Sequence, residues 1–579
     1  MHGPGAVRGV PNLVVFALSV ALASTSIGAC TSSDAAKPGG ASFGVAPATT
    51  SASTTPTWFR DVEPILQREC AGCHVVDGTG GFPLDRATAV SLASLIAERV
   101  SARDMPPWPP GPDGAPLVAP RLLHEDAITT ITAWAAGGAP DGDPRDHADR
   151  TPRVPPVPAR PIDLRLDPAP ADAYQPPSNP FVTDEVRCFV LDLPAGADGV
   201  WVTGAGWRAG TPRAVRTLGG TVLDAKTAST ARARQRVDGR AGFECGGGFD
   251  DLVKGPALGA TGTGGGAGGP STLPDGTAVR IPSGGAVLMR VHYAVKHLDG
   301  ATDRSGVDLW LAAESARRSL RPFVAATLEA PVEVPCPGGP STDPSSPCSR
   351  ENAFARLAGT AATSARSRAD ALLTTCGTDL AKASRATASG DHWFVTTACA
   401  SLAPFDGTIH LVGARLQTRG ASVRIEAEQP DGSWSVVLDV PRWRWTWDST
   451  YLLERGVRVT AGRGLRVSCT FDNGIANQWS ALTGEPGHDA PARTPLLPPG
   501  YLVAAPNRAA EACSATLAIE RSPYLGKTWP SLCDEAQAIH ADACGAGLDL
   551  VSRGCPGADE DASVAILQAT STAELCAPR

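Results

Sequence analysis

The chain has 579 residues, more than one hydrophobic core accommodates, so two to four domains are expected. Its formal net charge of −8 speaks against a nucleic-acid partner. Only 19% of residues are charged, and 62 Gly, 52 Pro and 13 Trp fit turn-rich β domains better than helical bundles.

In chain order, the first feature is a targeting segment. Arg8 precedes the apolar run 13–22, which has signal-peptide length and is too short to span a bilayer as a stable helix. The following Ile27-Gly28-Ala29-Cys30 resembles a bacterial lipobox, with Cys30 as the lipidated residue, so 1–30 reads as a lipoprotein signal peptide. Several acyl chains on one cysteine give stable anchoring. Residues 31–56, rich in Ser, Thr, Ala and Pro, form a tether. The expected location is therefore extracytoplasmic, lipid-anchored at the periplasmic face or the cell surface. The 15 cysteines fit that oxidising compartment, and setting aside Cys30, Cys70 and Cys73 leaves twelve for disulfides.

Cys70-Ala71-Gly72-Cys73-His74 matches C-x-x-C-H, the attachment signature of c-type haem. Two thiols at this spacing add across the two vinyl groups of one porphyrin, and the adjoining His74 ligates the iron from one side. Phe59, Val62, Ile65 and Leu66 recur at helical spacing just before the motif, Leu92, Leu95, Ile96 and Val100 mark a second helix, and Ile128, Ile131 and Trp134 a third. Residues 57–144 thus read as a small all-α cytochrome c-like domain with one covalent haem c. Met105, in Asp104-Met105-Pro106-Pro107-Trp108, is the natural sixth ligand: the chain has three methionines, Met1 leaves with the signal peptide, and a proline-rich backbone is stiff. His/Met ligation raises the potential relative to bis-His. His124 competes for the same role. A zinc site on Cys70, Cys73 and His74 lacks an obvious fourth ligand, and a redox disulfide between the two thiols lacks its βαβ context.

After a Pro/Arg-rich linker at 145–162 the pattern alternates. Segments 187–193, 199–206, 286–295 and 307–313 read as strands. Pro430-Asp431-Gly432-Ser433 signals a hairpin between 423–428 and 434–439, and Ala461-Gly462-Arg463-Gly464 a second one between 457–460 and 465–471. The Gly-rich run 259–269 is a loop without the Gly-Lys-Ser/Thr that phosphate binding needs.

Taken in order, C-x-x-C-H, MPPW, AWAAGGAPDGDP, RCFVLDL, TPRAV, LMRVHY, PDGSW, PRWRWTWD and SCTFDN resemble one bacterial family over residues 57–520. Its members join an N-terminal c-haem domain to a copper type II ascorbate-dependent monooxygenase-like module, similar to the peptidylglycine and dopamine monooxygenases. The resemblance implies two jelly-roll-like, mainly antiparallel β-sandwiches, over 163–325 and 326–520, each with one copper, followed here by a Cys-rich appendage at 521–579. It also implies the pairs Cys188–Cys245 and Cys469–Cys513. Cys336 and Cys348 flank a short loop and are candidates for a local pair, as are Cys376 and Cys399. Cys533, Cys544, Cys555 and Cys576 suggest a stapled appendage.

The copper ligands implied by the resemblance are mostly replaced. One site uses a His-His pair and a strand histidine; His292 keeps the strand position, whereas the pair falls on Arg216 and Thr217. The other uses His-x-His and a Met before a cysteine; these positions hold Arg415, Gln417 and Ala512. Five of six ligands are therefore changed, and a guanidinium has no lone pair to offer a metal. Copper is accordingly doubtful, with recruitment of His392 or His410 as the alternative. The leading expectation is an exported haem lipoprotein for electron transfer or redox sensing, with a redox partner protein and a monooxygenase-like module that has become a pseudoenzyme. The alternatives are an active copper monooxygenase fed by the haem, and a cell-surface binding or structural protein.

Overall fold

The computed structural model describes residues 55–576 apart from 109, 152–157, 176, 178–183, 246–251, 253–254, 261, 264–270, 296–299, 358–359, 448, 478–499, 505–510 and 546–557. The expected signal peptide, Cys30 and the tether as far as 54, with Cys555 and most of the Gly-rich run, lie outside the described residues.

A π-type turn at Trp58–Val62 leads into α1 (Glu63–Glu69), followed by α2 (Arg86–Ser91), α3 (Ala93–Ser101) and α4 (Glu125–Ala136). The three- and four-residue spacing of apolar positions turns Val62, Leu66, Val100, Ile131 and Trp134 into one small core with Trp58. The Trp58 and Trp134 rings lie 5.9 Å apart. Asp85 caps α2 by accepting from the Thr88 N–H at 2.8 Å. Glu125 and Asp126 set negative charge in the first turn of α4, where the helix dipole favours it.

From residue 163 onward the described chain is mainly β, in four sheets. A nine-stranded sheet runs in the order Leu164–Leu166, Gly306–Leu311, Val200–Arg208, Thr277–Ile281, Arg321–Glu329, Ser514–Arg521, Gly407–Arg415, Thr450–Val459, with Ser271–Thr272 paired beside Val200–Arg208. One five-stranded sheet, centred on Asp184–Asp192, Ala286–Ala294 and Val215–Leu223, packs on the first half of it. A second, centred on His392–Leu402, Gly464–Asp472 and Gly420–Glu428, packs on the other half. Two sandwich cores therefore share one sheet. The joint is Arg321–Glu329, parallel to Thr277–Ile281 at Arg321↔Thr277 and antiparallel to Ser514–Arg521 from Phe323↔Glu520 onward. Alternation sends Val324 to the second core and its neighbour Phe323 to the first.

The hairpin at 430–433 forms, with Glu428 opposite Trp434. The second expected hairpin does not. Thr450–Val459 pairs with Gly407–Arg415, whereas Gly464–Asp472 pairs with strands of the other sheet. The intervening Gly-containing turn crosses between layers; alternation marks both strands but does not say which sheet each joins. Five disulfides are described: Cys188–Cys245, Cys336–Cys348, Cys376–Cys399, Cys469–Cys513 and Cys544–Cys576. They indicate an oxidising, extracytoplasmic compartment. Among the described residues no helix is long and apolar enough to cross a membrane. The C-terminal helices Leu532–Cys544 and Ala558–Gln568 seat on the first half of the long sheet, where Arg280 pairs with Asp561 at 2.9 Å and the Trp201 indole donates to Glu560 at 2.9 Å.

Candidate cofactor-binding site

The C-terminal end of α1 delivers the C-x-x-C-H motif. The Cys70 N–H still closes a helical bond to the Leu66 carbonyl, and those of Cys73 and His74 both turn back onto the Cys70 carbonyl at 3.0 Å. Cys70 and Cys73 are free thiols, while every other described cysteine is disulfide-bonded. Desolvation, reinforced by the Glu69 charge, pushes the Cys70 thiol up to about 12.

The His74 ring is held from one side. Its Nδ1 lies 3.3 Å from the Phe82 carbonyl, which can only accept, so Nδ1–H donates and Nε2 keeps a bare lone pair. Burial adds to this by lowering the pKa of the imidazole, which favours the neutral, ligating form. Gly80 packs so close that a Cβ there would stand 2.5 Å from Nδ1.

Cys70, Cys73, His74 and Met105 all line one cavity of about 1450 Å³. Leu95 is 43% exposed because it faces this space instead of the helical core. His124, at the start of α4, borders the same space, so both axial candidates named from the sequence are brought to it. The residues fit a covalently held haem on chemical grounds: two unpaired thiols at the right spacing, an imidazole of defined tautomer, a thioether, and apolar walls from Leu66, Phe82, Leu92 and Ile96.

The far wall belongs to the β region. Trp443, Arg444, Trp445 and Trp447, from the PRWRWTWD stretch, line it together with Arg216, Asp184 and His392. Sequence reasoning used PRWRWTWD only as a landmark of the resemblance; its contact with the C-x-x-C-H motif is a tertiary fact.

The positions that the resemblance assigns to copper hold other chemistry. His292 is fully buried, with Nε2 3.2 Å from Asp184 Oδ1. Arg216 Nε donates to that same oxygen at 2.6 Å. Burial alone would raise the Asp184 pKa, but the hydrogen bond with His292 and the Arg216 charge outweigh it and hold the carboxyl below the usual range. Arg216 reaches Asp184 from a β-bulge: Val215 pairs with Tyr293 and Thr217 with His292, which leaves Arg216 as the extra residue. Thr217 is buried in the strand. The Trp445 ring covers His292 at 4.5 Å. Asp184 was not singled out from the sequence, where nothing distinguishes it from other strand-end acids.

At the second position Arg415 ends its strand opposite Ser514, and Gln417 is buried beyond it. The carboxylate of Glu511, next to Ala512, accepts the N–H groups of Gln417 at 2.9 Å and Arg419 at 2.7 Å. Burial pushes Glu511 up to about 7 against those bonds. The two histidines considered as replacements are engaged separately: His392 Nδ1 lies 2.6 Å from Asp472, and His410 Nε2 lies 2.8 Å from Glu520 in the other layer. Among the described residues no three His, Cys, Asp or Glu side chains stand together as a metal-binding group.

No family model and no curated protein matches this chain. Among solved structures it is similar to an allantoicase at 10% identity, covering 52% of this chain and 81% of that one, with a TM-score of 0.13. A Paenibacillus xanthan lyase is similar at 11% identity over 64% of this chain and 27% of its own, also with a TM-score of 0.13. At these TM-scores neither likeness bears on the fold or the site.

Proposed function

We propose that this is an exported c-type haem protein for electron transfer or redox sensing, whose β region keeps a monooxygenase-like scaffold without its coppers. Cys70 and Cys73 would hold the haem through thioether bonds, with His74 and Met105 as ligands to its iron and Cys30 as the lipid-anchored residue. The observation that carries this reading is the cavity. Among the described cysteines the two free ones, in an otherwise oxidised set, open onto the same space as His74 and Met105. When bound, the haem supplies a one-electron couple whose potential a thioether ligand raises. The protein's own part is to orient His74 through the Phe82 carbonyl, to exclude water with apolar walls, and to close the cavity with the tryptophans of the β region.

The pseudoenzyme part of the reading is supported by Arg216, which sets a permanent cation on the same Asp184 oxygen that faces the one histidine left at that position. The test is spectroscopic. Full-length chain matured with a cytochrome-assembly system should carry covalent haem that survives denaturation, and Cys70→Ala/Cys73→Ala should carry none. Covalent haem in the double variant would refute the assignment.

A further inference from the structure

The candidate sixth ligand sits in an unusual place. Between the end of α3 at Ser101 and the start of α4 at Glu125 the described residues form no helix, and this connection exceeds the roughly 12–15 residues at which structureless loops become uncommon. Its base is tied to the helices: the N–H groups of Asp104 and Met105 both donate to the Arg99 carbonyl, at 2.9 and 3.3 Å. Most of its remaining fastenings come from one stretch of the β region. Upstream of Met105, Arg442 donates to the carbonyls of Ala102 and Arg103, the latter at 3.1 Å. Arg444 pairs with the Asp104 carboxylate at 3.1 Å.

Downstream, the loop runs along two strands as if it were an added edge. Gly111 N–H donates to the Asp439 carbonyl at 2.8 Å and Val118 N–H to that of Leu452 at 2.9 Å, while Glu454 N–H donates back to Pro116 at 2.8 Å. The Trp108 ring packs edge-on against Tyr451 at 5.4 Å. A Cβ on Gly111 would meet Pro441 at 2.9 Å, so only glycine lets the loop lie this close.

We infer that the β region, through Arg442, Arg444 and the strand edges 437–454, positions Met105 as a haem ligand, so that the two regions form one redox site and not a cytochrome tethered to a separate module. Arg442 and Arg444 are positioning residues: they hold the three residues just before Met105, through the Ala102 and Arg103 carbonyls and the Asp104 carboxylate, and leave the thiols and His74 untouched. Because exposed ion pairs and single hydrogen bonds are individually weak, both arginines have to be removed to release the loop. The inference rests on the haem reading above, and the test separates the two.

The experiment uses the full-length, haem-loaded chain and reads the ferric methionine–iron charge-transfer band and the midpoint potential. Arg442→Ala/Arg444→Ala should lose the band and show a lowered potential while its haem stays covalently attached. Arg442→Lys/Arg444→Lys should recover part of both, since lysine can still pair with Asp104. Gly111→Val, which wedges the loop off its strand by a different route, should repeat the double-alanine spectrum; if either variant fails to fold, the other decides. A double-alanine or valine variant that keeps the native band and potential overturns the inference. A wild-type chain with covalent haem and no methionine band also overturns it, leaving His124 as ligand and the haem reading standing. A wild-type chain without haem removes the reading itself.

Discussion

Gly80 controls how tightly the loop after the C-x-x-C-H motif closes on its histidine. A methyl group there collides with the imidazole at Nδ1, the atom that bonds the Phe82 carbonyl. Gly80→Ala should therefore unseat His74 and lower the iron content of the matured protein several-fold, while the β-region disulfides still form; haem absorbance per protein checks this. Glu511 makes a second residue-scale prediction. Its folded pKa, about 7, stands above the ordinary 4.5, so between those values the folded state binds more protons than the unfolded one. The contribution is fully present at low pH and lost as pH rises through 7, a decline of about 3 kcal/mol. Urea unfolding between about pH 5 and pH 8 should show this slope, and Glu511→Gln should flatten it. At this scale the sequence was partly legible. Cys70, Cys73 and His74 are close in sequence, so their meeting at one cavity is legible from the motif alone. What burial does to Glu511, or that Asp184 faces His292, depends on chain segments far away in sequence.

The bulge at Arg216 is the clearest case of an element setting chemistry. One extra residue in Val215–Leu223 re-aims a guanidinium at Asp184, and His292 completes a buried cluster in the adjoining strand. Removing the cation takes a charged partner from a carboxylate that is mostly out of solvent. Arg216→Ala should cost about 3 kcal/mol in chemical unfolding, the low end for breaking a buried pair, whereas Arg216→Lys should cost less. Helices around the motif and several strands were legible because period 3.6 and period 2 survive in the apolar residues. The helix Ala225–Val237 was not, since only Ala228 and Ala231 are buried along it and its exposed side is arginine-rich. The turn at 461–464 was misread for another reason: a Gly-containing turn between two alternating runs looks the same whether it folds one sheet or bridges two.

At the scale of the molecule, the halves of the β region are not independent, because Arg321–Glu329 belongs to one sheet serving two cores. The C-terminal helices are fastened to that sheet by the nearly fully buried Arg280, which pairs with both Glu560 and Asp561. Arg280→Ala should release the appendage and expose it to proteolysis before the sandwiches unfold, as limited digestion would reveal. The expectation of β-sandwiches came from alternation together with the resemblance. The shared sheet was not legible, since a parallel pairing between residues 277 and 321 leaves no local signal. Central to the account is a chain that would hold haem through Cys70 and Cys73 and its iron through His74, with no copper at the positions of Arg216, Arg415 and Ala512. The most direct measurement is iron and copper per protein in one sample of the mature chain, assembled with cytochrome-maturation machinery and exposed to copper. The account predicts one iron and no retained copper; one or two tightly held coppers, or the absence of iron, would contradict it.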